Sequence, residues 1–185
     1  MRRTDGLLTP WYDATRRTNG GGLAAAYEQC REITERFSKT FYLATALLPR
    51  ERSSALWAVY AWCRRTDDLV DMPRQKDHKH LAEELIEWES RLNEAFAGRP
   101  RDVIDAALTD TVVRFPNLSI APFQDMIKGM VMDVPGIGQS RYATWDDLNL
   151  YCYRVAGTVP GLAFPIPIPG NSGISSSSSY KQLRN

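Results

Sequence analysis

From Leu23 onward, apolar residues return every three or four positions. In LAAAYEQCREITERF the stripe is Ala26, Cys30, Ile33 and Phe37, the spacing of one helix face. SKTFYLATALLP continues the helical pattern to Pro49, with a break expected near Ser38. Pro49 suits the start of a new helix. RERSSALWAVYAWCRRTDDLVD runs from there to a stop at Pro73. Its stretch ALWAVYAWC, Ala55 to Cys63, is apolar on nearly every side, which predicts a central helix. KDHKH, ending at His80, reads as a charged loop. The next helix sets Leu81, Leu85, Trp88, Leu92 and Phe96 on one stripe and ends at AGRP. DVIDAALTDTVVRF and APFQDMIKGMVMD predict two more helices, separated by Pro116. In the last one, TWDDLNLYCYRVAGTV, Thr144 and Asp147 have the spacing of a capping box.

No segment alternates as a strand does and no repeat is evident, so the expectation is an all-α domain over residues 23–159. Residues 1–22, with Pro10 and the run NGGG, read as an unanchored lead-in, and the Pro/Ser-rich residues 160–185 as a loosely attached tail. A chain of 185 residues supports one core. Its net charge of +1 argues against nucleic-acid binding, which needs a strong basic excess. Cys30, Cys63 and Cys152 are far apart and form no CxxC pair, so reduced structural thiols are expected. The longest apolar run is too short to span a bilayer, and the N-terminus shows no targeting pattern. His78 and His80 lack a third ligand and read as surface. Arg2, Arg3, Arg16 and Arg17 read as solvated rather than lipid-binding.

The chemistry concentrates in WCRRTDDLVDMP. On a helix, Asp67 and Asp71 are offset by about 40° and about 6 Å along the axis. Tyr60, Arg64, Asp67 and Asp71 therefore form one stripe. Two carboxylates a turn apart repel unless a cation lies between them, and hard oxygen ligands suit Mg²⁺ that also bridges to phosphates. Arg64 could hold a phosphate oxygen through its fork of donors. Spacing leaves this cradle and a plain solvated acidic face both open, with Arg64 and Asp68 read as an ordinary surface pair.

FSKTFYLATALLPRERSSALWAVYAWCRRTDDLVD, Phe37 to Asp71, resembles the first aspartate-rich region of the phytoene synthases of the squalene/phytoene synthase family. DMIKGMVMD and LYCYRVAGTV resemble later family segments in the same order, and FAGRPRDVIDAALTDTVVRFP resembles the plant and algal branch. The resemblance implies the all-helical isoprenoid-synthase fold, its N-terminal part only. It also implies head-to-head joining of two geranylgeranyl diphosphates, through prephytoene diphosphate, to 15-cis-phytoene. Asp67 and Asp71 would be ligands of Mg²⁺ (or Mn²⁺), with Arg64 behind them. Ser38, Lys39 and Thr40 match a diphosphate-contacting loop, and Tyr60 a substrate-binding position. Tyr151 and Asp133 match polar positions beside the reacting centre, and Val155 and Val159 the wall of the prenyl tunnel. The plainer alternatives are a helix cap for Ser38, core aromatics for Tyr60 and Tyr151, and core for both valines. For a plastid or bacterial enzyme with an oily product, a membrane surface is the implied setting.

The family's second motif, N-x-x-R-D-x-x-x-D, is not found; Asp67/Asp71 is the one D-x-x-x-D pair in the 185 residues. RDVID, Arg101 to Asp105, is the nearest imitation and reads as part of an ordinary helix. VAGTVPG carries an inserted Pro160, and the loop after Asp133 is about three residues longer than the family's. These departures lead us to expect a truncated phytoene synthase. Such a chain is either catalytic by inheritance or a silent helical module that binds diphosphate or a partner. A squalene-synthase-like transferase is a further alternative.

Overall fold

The computed structural model describes residues 22–71, 78–134 and 142–157. Among these there are seven α-helices and no strand: α1 (Leu23–Phe37), α2 (Lys39–Ala46), α3 (Arg50–Asp71), α4 (His78–Phe96), α5 (Val103–Arg114), α6 (Ala121–Met132) and α7 (Trp145–Cys152). A π-helical turn, Tyr153–Gly157, continues α7. The expectations for the lead-in before Gly22, the tail and Val159 fall outside the described residues.

The break near Ser38 is real. Phe37 ends α1, and the Ser38 backbone N–H closes that helix on the Thr34 carbonyl at 2.9 Å. Pro49 stands immediately before α3, which ends the described stretch at Asp71. Asp102 caps α5 by accepting from the Asp105 N–H. The Thr144–Asp147 capping box forms in full, with each side chain bonding the other's backbone. One expectation needs correction: KDHKH is not all loop, because His78 to His80 already belong to α4.

α3 packs against α1, α2, α4, α5 and α6, so the helix predicted to be central is central. Where it meets α1 and α5, the buried residues are mostly small: Ala26, Cys30, Ala58, Ala61 and Ala107, with Ile33 and Ile104 between them. Small side chains let helix axes approach closely. The other side carries the larger core of Leu56, Trp62, Leu85, Trp88, Leu92, Phe123, Ile127 and Met130. The Trp62 ring meets Phe123 edge-on at 4.9 Å, a favoured aromatic geometry. The buried Trp88 indole donates to Thr66 Oγ1 at 2.8 Å, so its polar atom is not stranded. Cys30 and Cys63 are buried free thiols and Cys152 is an exposed one. Among the described residues, no helix is long and apolar enough to cross a membrane.

Candidate active site

Near its C-terminal end, α3 leaves one stripe accessible. Tyr60, Arg64 and Asp67 are half-buried and Asp71 is exposed, while Trp62, Cys63, Arg65, Thr66 and Asp68 are buried. A central helix has neighbours on most sides, so this stripe is where its polar chemistry can meet a ligand.

The α1–α2 break brings two residues to the stripe. Ser38 stands at the N-cap of α2 but makes no side-chain capping bond. Its hydroxyl lies near the Tyr60 phenol. The cap alternative for Ser38 is therefore not realised. Burial raises the Tyr60 hydroxyl, and Ser38 and Arg64 partly offset that. Phe41 stacks on Tyr60 with ring centroids 5.4 Å apart. Phe37 lies beneath the Arg64 guanidinium, 4.6 Å from it. Lys39 and Thr40 follow on the exposed first turn of α2.

Arg64 and Asp68 do not make the surface pair expected from their spacing. Arg64 Nη2 donates to Asp68 Oδ1 at 2.5 Å, and Asp68 is only 2% exposed. The i,i+4 spacing was legible in sequence, but the depth was not, because depth depends on which way α3 is rotated in the bundle.

Burial, reinforced by the negative charge of Asp71, pushes the Asp67 carboxyl up to about 6, against the pull of Arg64. The donor set answers the question of metal. Asp67 and Asp71 are hard oxygen ligands one turn apart, and Mg²⁺ commonly takes one or two carboxylates and completes its shell with water and phosphate. The two aspartates are thus the residues that could hold such a cation. Among the described residues, no three His, Cys, Asp or Glu side chains gather as a metal-binding group.

A second wall comes from α6 and α7. Asp133 stands at the C-cap of α6, and the Tyr151 hydroxyl donates to its Oδ2 at 3.2 Å. Burial raises the Asp133 carboxyl, Tyr151 counters, and the charge of Asp71 raises it further. Asp133 is therefore within electrostatic reach of the α3 stripe. Burial and the bond to Asp133 push the Tyr151 hydroxyl up to about 12. The Tyr142 ring packs against Tyr151 at 5.0 Å, a contact no periodicity could have indicated. Val155, in the π-helical turn, packs against the larger core. That turn lies close over α6 at Gly129, where a Cβ would meet Arg154 Cβ at 3.0 Å and Val155 Cγ2 at 3.1 Å.

The sequence also missed the roles of Arg65 and RDVID. Arg65, 3% exposed, is bonded to Asp102 and Asp105, which also hold Arg91. Nothing local signals pairs 37 and 40 residues apart.

The squalene/phytoene synthase family model matches residues 34–169. The chain is 55% identical over 146 residues to a chloroplastic phytoene synthase 3 of Zea mays, covering 79% of this chain and 33% of the relative. It is 51% identical over 144 residues to a 15-cis-phytoene synthase of Synechococcus elongatus, covering 78% and 45%. A solved dehydrosqualene synthase aligns with TM-score 0.67 at 34% identity, over 78% of this chain and 48% of that one. A squalene synthase from Alicyclobacillus acidocaldarius aligns with TM-score 0.68 at 30% identity, over 78% and 52%. The chain thus spans about a third to a half of the length of these proteins. With the aspartate-bearing central helix and the Ser38, Asp133 and Tyr151 walls around it, these likenesses assign the chain to the squalene/phytoene synthase family.

Proposed function

We propose that these residues form the diphosphate-ionising part of a 15-cis-phytoene synthase, which condenses two geranylgeranyl diphosphates head to head through prephytoene diphosphate. The observation that carries this reading is the convergence of Ser38, Phe37, Tyr60, Arg64, Asp67 and Asp71 on one accessible stripe of a buried helix. Squalene and dehydrosqualene synthases as structural relatives, and phytoene synthases as sequence relatives, support it.

An allylic diphosphate ionises only if the charge growing on the leaving group is met by fixed positive charge and donors. Arg64 supplies both, held from behind by Asp68 and lying over the Phe37 ring. Mg²⁺ (or Mn²⁺) held by Asp67 and Asp71 would neutralise further diphosphate charge. Ser38 and Tyr60 lie near each other beside the stripe, with Lys39 and Thr40 exposed next to them as further donors to phosphate oxygens. Tyr151, anchored by Asp133, offers a polar hydroxyl opposite. Val155 would line the prenyl chain's side of the site. An apolar wall there matters because water would quench the allylic cation.

A second reading is favoured by the sequence, which carries one D-x-x-x-D pair. Alone, these 185 residues would then bind a diphosphate without turning it over. Incubation with geranylgeranyl diphosphate and Mg²⁺ separates the two. Phytoene formation supports the synthase outright, and binding without product supports the module. Absence of any diphosphate binding sinks both. The relatives' names support a plastid or a bacterial cell as the setting, and an oily product favours work at a membrane surface.

A further inference from the structure

We propose that Arg65, Arg91, Asp102 and Asp105 act as positioning residues that set the rotation of α3 about its own axis and thereby aim Asp67 and Asp71. The inference rests on the reading of those two aspartates as cation ligands. Arg65 lies on the reverse of the helix, since two residues turn it by about 200° relative to Asp67. Arg65 Nη2 bonds Asp102 Oδ2 at 2.7 Å, and its Nη1 bonds Asp105 Oδ1 at 3.2 Å and Asp102 Oδ1 at 3.3 Å. Arg91 Nε bonds Asp105 Oδ2 at 2.7 Å, and its Nη2 bonds Asp102. Both guanidiniums lie over the Trp88 ring, 4.9 Å and 5.1 Å from its centroid. The Trp88 indole N–H in turn holds Thr66, the next residue of α3. One foursome therefore links α3, α4 and the first turn of α5.

Two positive and two negative groups balance, so the foursome carries no net charge for a ligand to read. Nor is a buried ion pair a strong source of stability, because well-packed apolar residues often do as well. What the charges add is direction. A planar fork satisfies two carboxylates in one orientation, a directional constraint added to that of packing. A rotation of about 20° at a side-chain radius of about 5–6 Å displaces a carboxylate by about 2 Å, as large as the Mg²⁺–oxygen distance itself. Burial of Arg65 and Asp105, 3% and 1% exposed, keeps water from substituting for either partner.

The test replaces the foursome by an apolar equivalent: Arg65→Met, Arg91→Met, Asp102→Asn and Asp105→Leu, in which Asn retains the cap of α5. A companion variant, Arg65→Lys, keeps the charge and loses the fork. Mn²⁺ binding to the full chain is read by electron paramagnetic resonance, and folding by circular dichroism and melting. The expected result is native helix content with Mn²⁺ affinity at least tenfold weaker in the fourfold variant and several-fold weaker in Arg65→Lys. Wild-type affinity in a folded fourfold variant overturns the proposal. If that variant does not fold, wild-type affinity in Arg65→Lys does so. Failure of the unaltered protein to bind Mn²⁺ would sink the metal reading instead. The nuclear Overhauser contact between the Phe41 and Tyr60 rings then decides the rotation without metal. It is expected to weaken in the variants, and its full retention overturns the proposal.

Discussion

Asp68 lies one turn beyond Arg64 on α3 and accepts its Nη2 at 2.5 Å from a carboxylate that is almost fully buried. The two partners are unequal, since the Arg64 side chain keeps 29% exposure and the Asp68 side chain 3%. The pair thus bridges from the accessible stripe to the buried layer beneath it.

Arg64→Met is expected to cost more than Asp68→Asn. Arg64→Met removes a charge-assisted bond to a buried carboxylate, worth about 1.5–3 kcal/mol, whereas Asp68→Asn keeps an amide oxygen that can still accept from Arg64. Urea denaturation of both variants checks this, and the reverse order would contradict the burial assigned to Asp68.

Asp67 makes the metal-free protein pH-sensitive. Its carboxyl is raised from 3.8 to about 6 on folding. The native state then binds more protons than the unfolded chain between those values, so this residue's contribution falls as pH rises through them. With chelator present, melting of the unaltered protein should fall more steeply between pH 4 and pH 6 than that of Asp67→Asn, whose side chain cannot ionise. Added Mg²⁺ should restore stability at pH 7 by binding the ionised form. A pH profile identical in the two proteins would count against the raised carboxyl.

Asp67→Asn combined with Asp71→Asn is expected to abolish turnover in a catalytically competent full-length relative of this sequence while helix content stays native. Removing two mutually repelling carboxylates costs the fold little. Retained phytoene formation would rule out the cradle.

Ser38→Ala should cost under about 0.5 kcal/mol, where a working cap would cost about 1 kcal/mol. Asp102→Ala, which removes a cap and two arginine contacts, should cost several times more. Thermal melts of the pair give the comparison. Equal losses would restore Ser38 to the role of a cap.

Gly129→Ala tests the seat of the π-helical turn. Alanine gains about 1 kcal/mol of helix propensity, but its Cβ would crowd Arg154 and Val155 at 3.0 Å and 3.1 Å. Overpacking of this kind costs about 1–3 kcal/mol. The expected outcome is net destabilisation, with the Tyr151–Asp133 bond disturbed and visible as a lowered Tyr151 phenol titration by ultraviolet difference. A more stable protein with an unchanged Tyr151 would show that the turn can yield.

Most of the elements were legible in one dimension because they follow local rules. The three-to-four spacing of Ala26, Cys30 and Ile33 faces the core, Pro49 precedes α3, and Thr144 and Asp147 cap α7. The all-round apolar stretch before Cys63 correctly marked the central helix, and the spacing of Tyr60, Arg64, Asp67 and Asp71 correctly marked one stripe. Periodicity states which residues share a face; it does not state what that face meets.

That second question was settled in three dimensions. The same spacing that makes Arg64 and Asp68 neighbours is compatible with a solvated pair or a buried one, and α3's rotation against five other helices made it buried. Ser38 makes no side-chain cap although it stands at the N-cap of α2, and RDVID became the anchor of two arginines because α5 starts beside α3 and α4. Local sequence determines helices and stripes, since their forces act over a few residues. Depth, partner and electrostatic field arise from contacts between distant segments, so only the packed bundle could decide them.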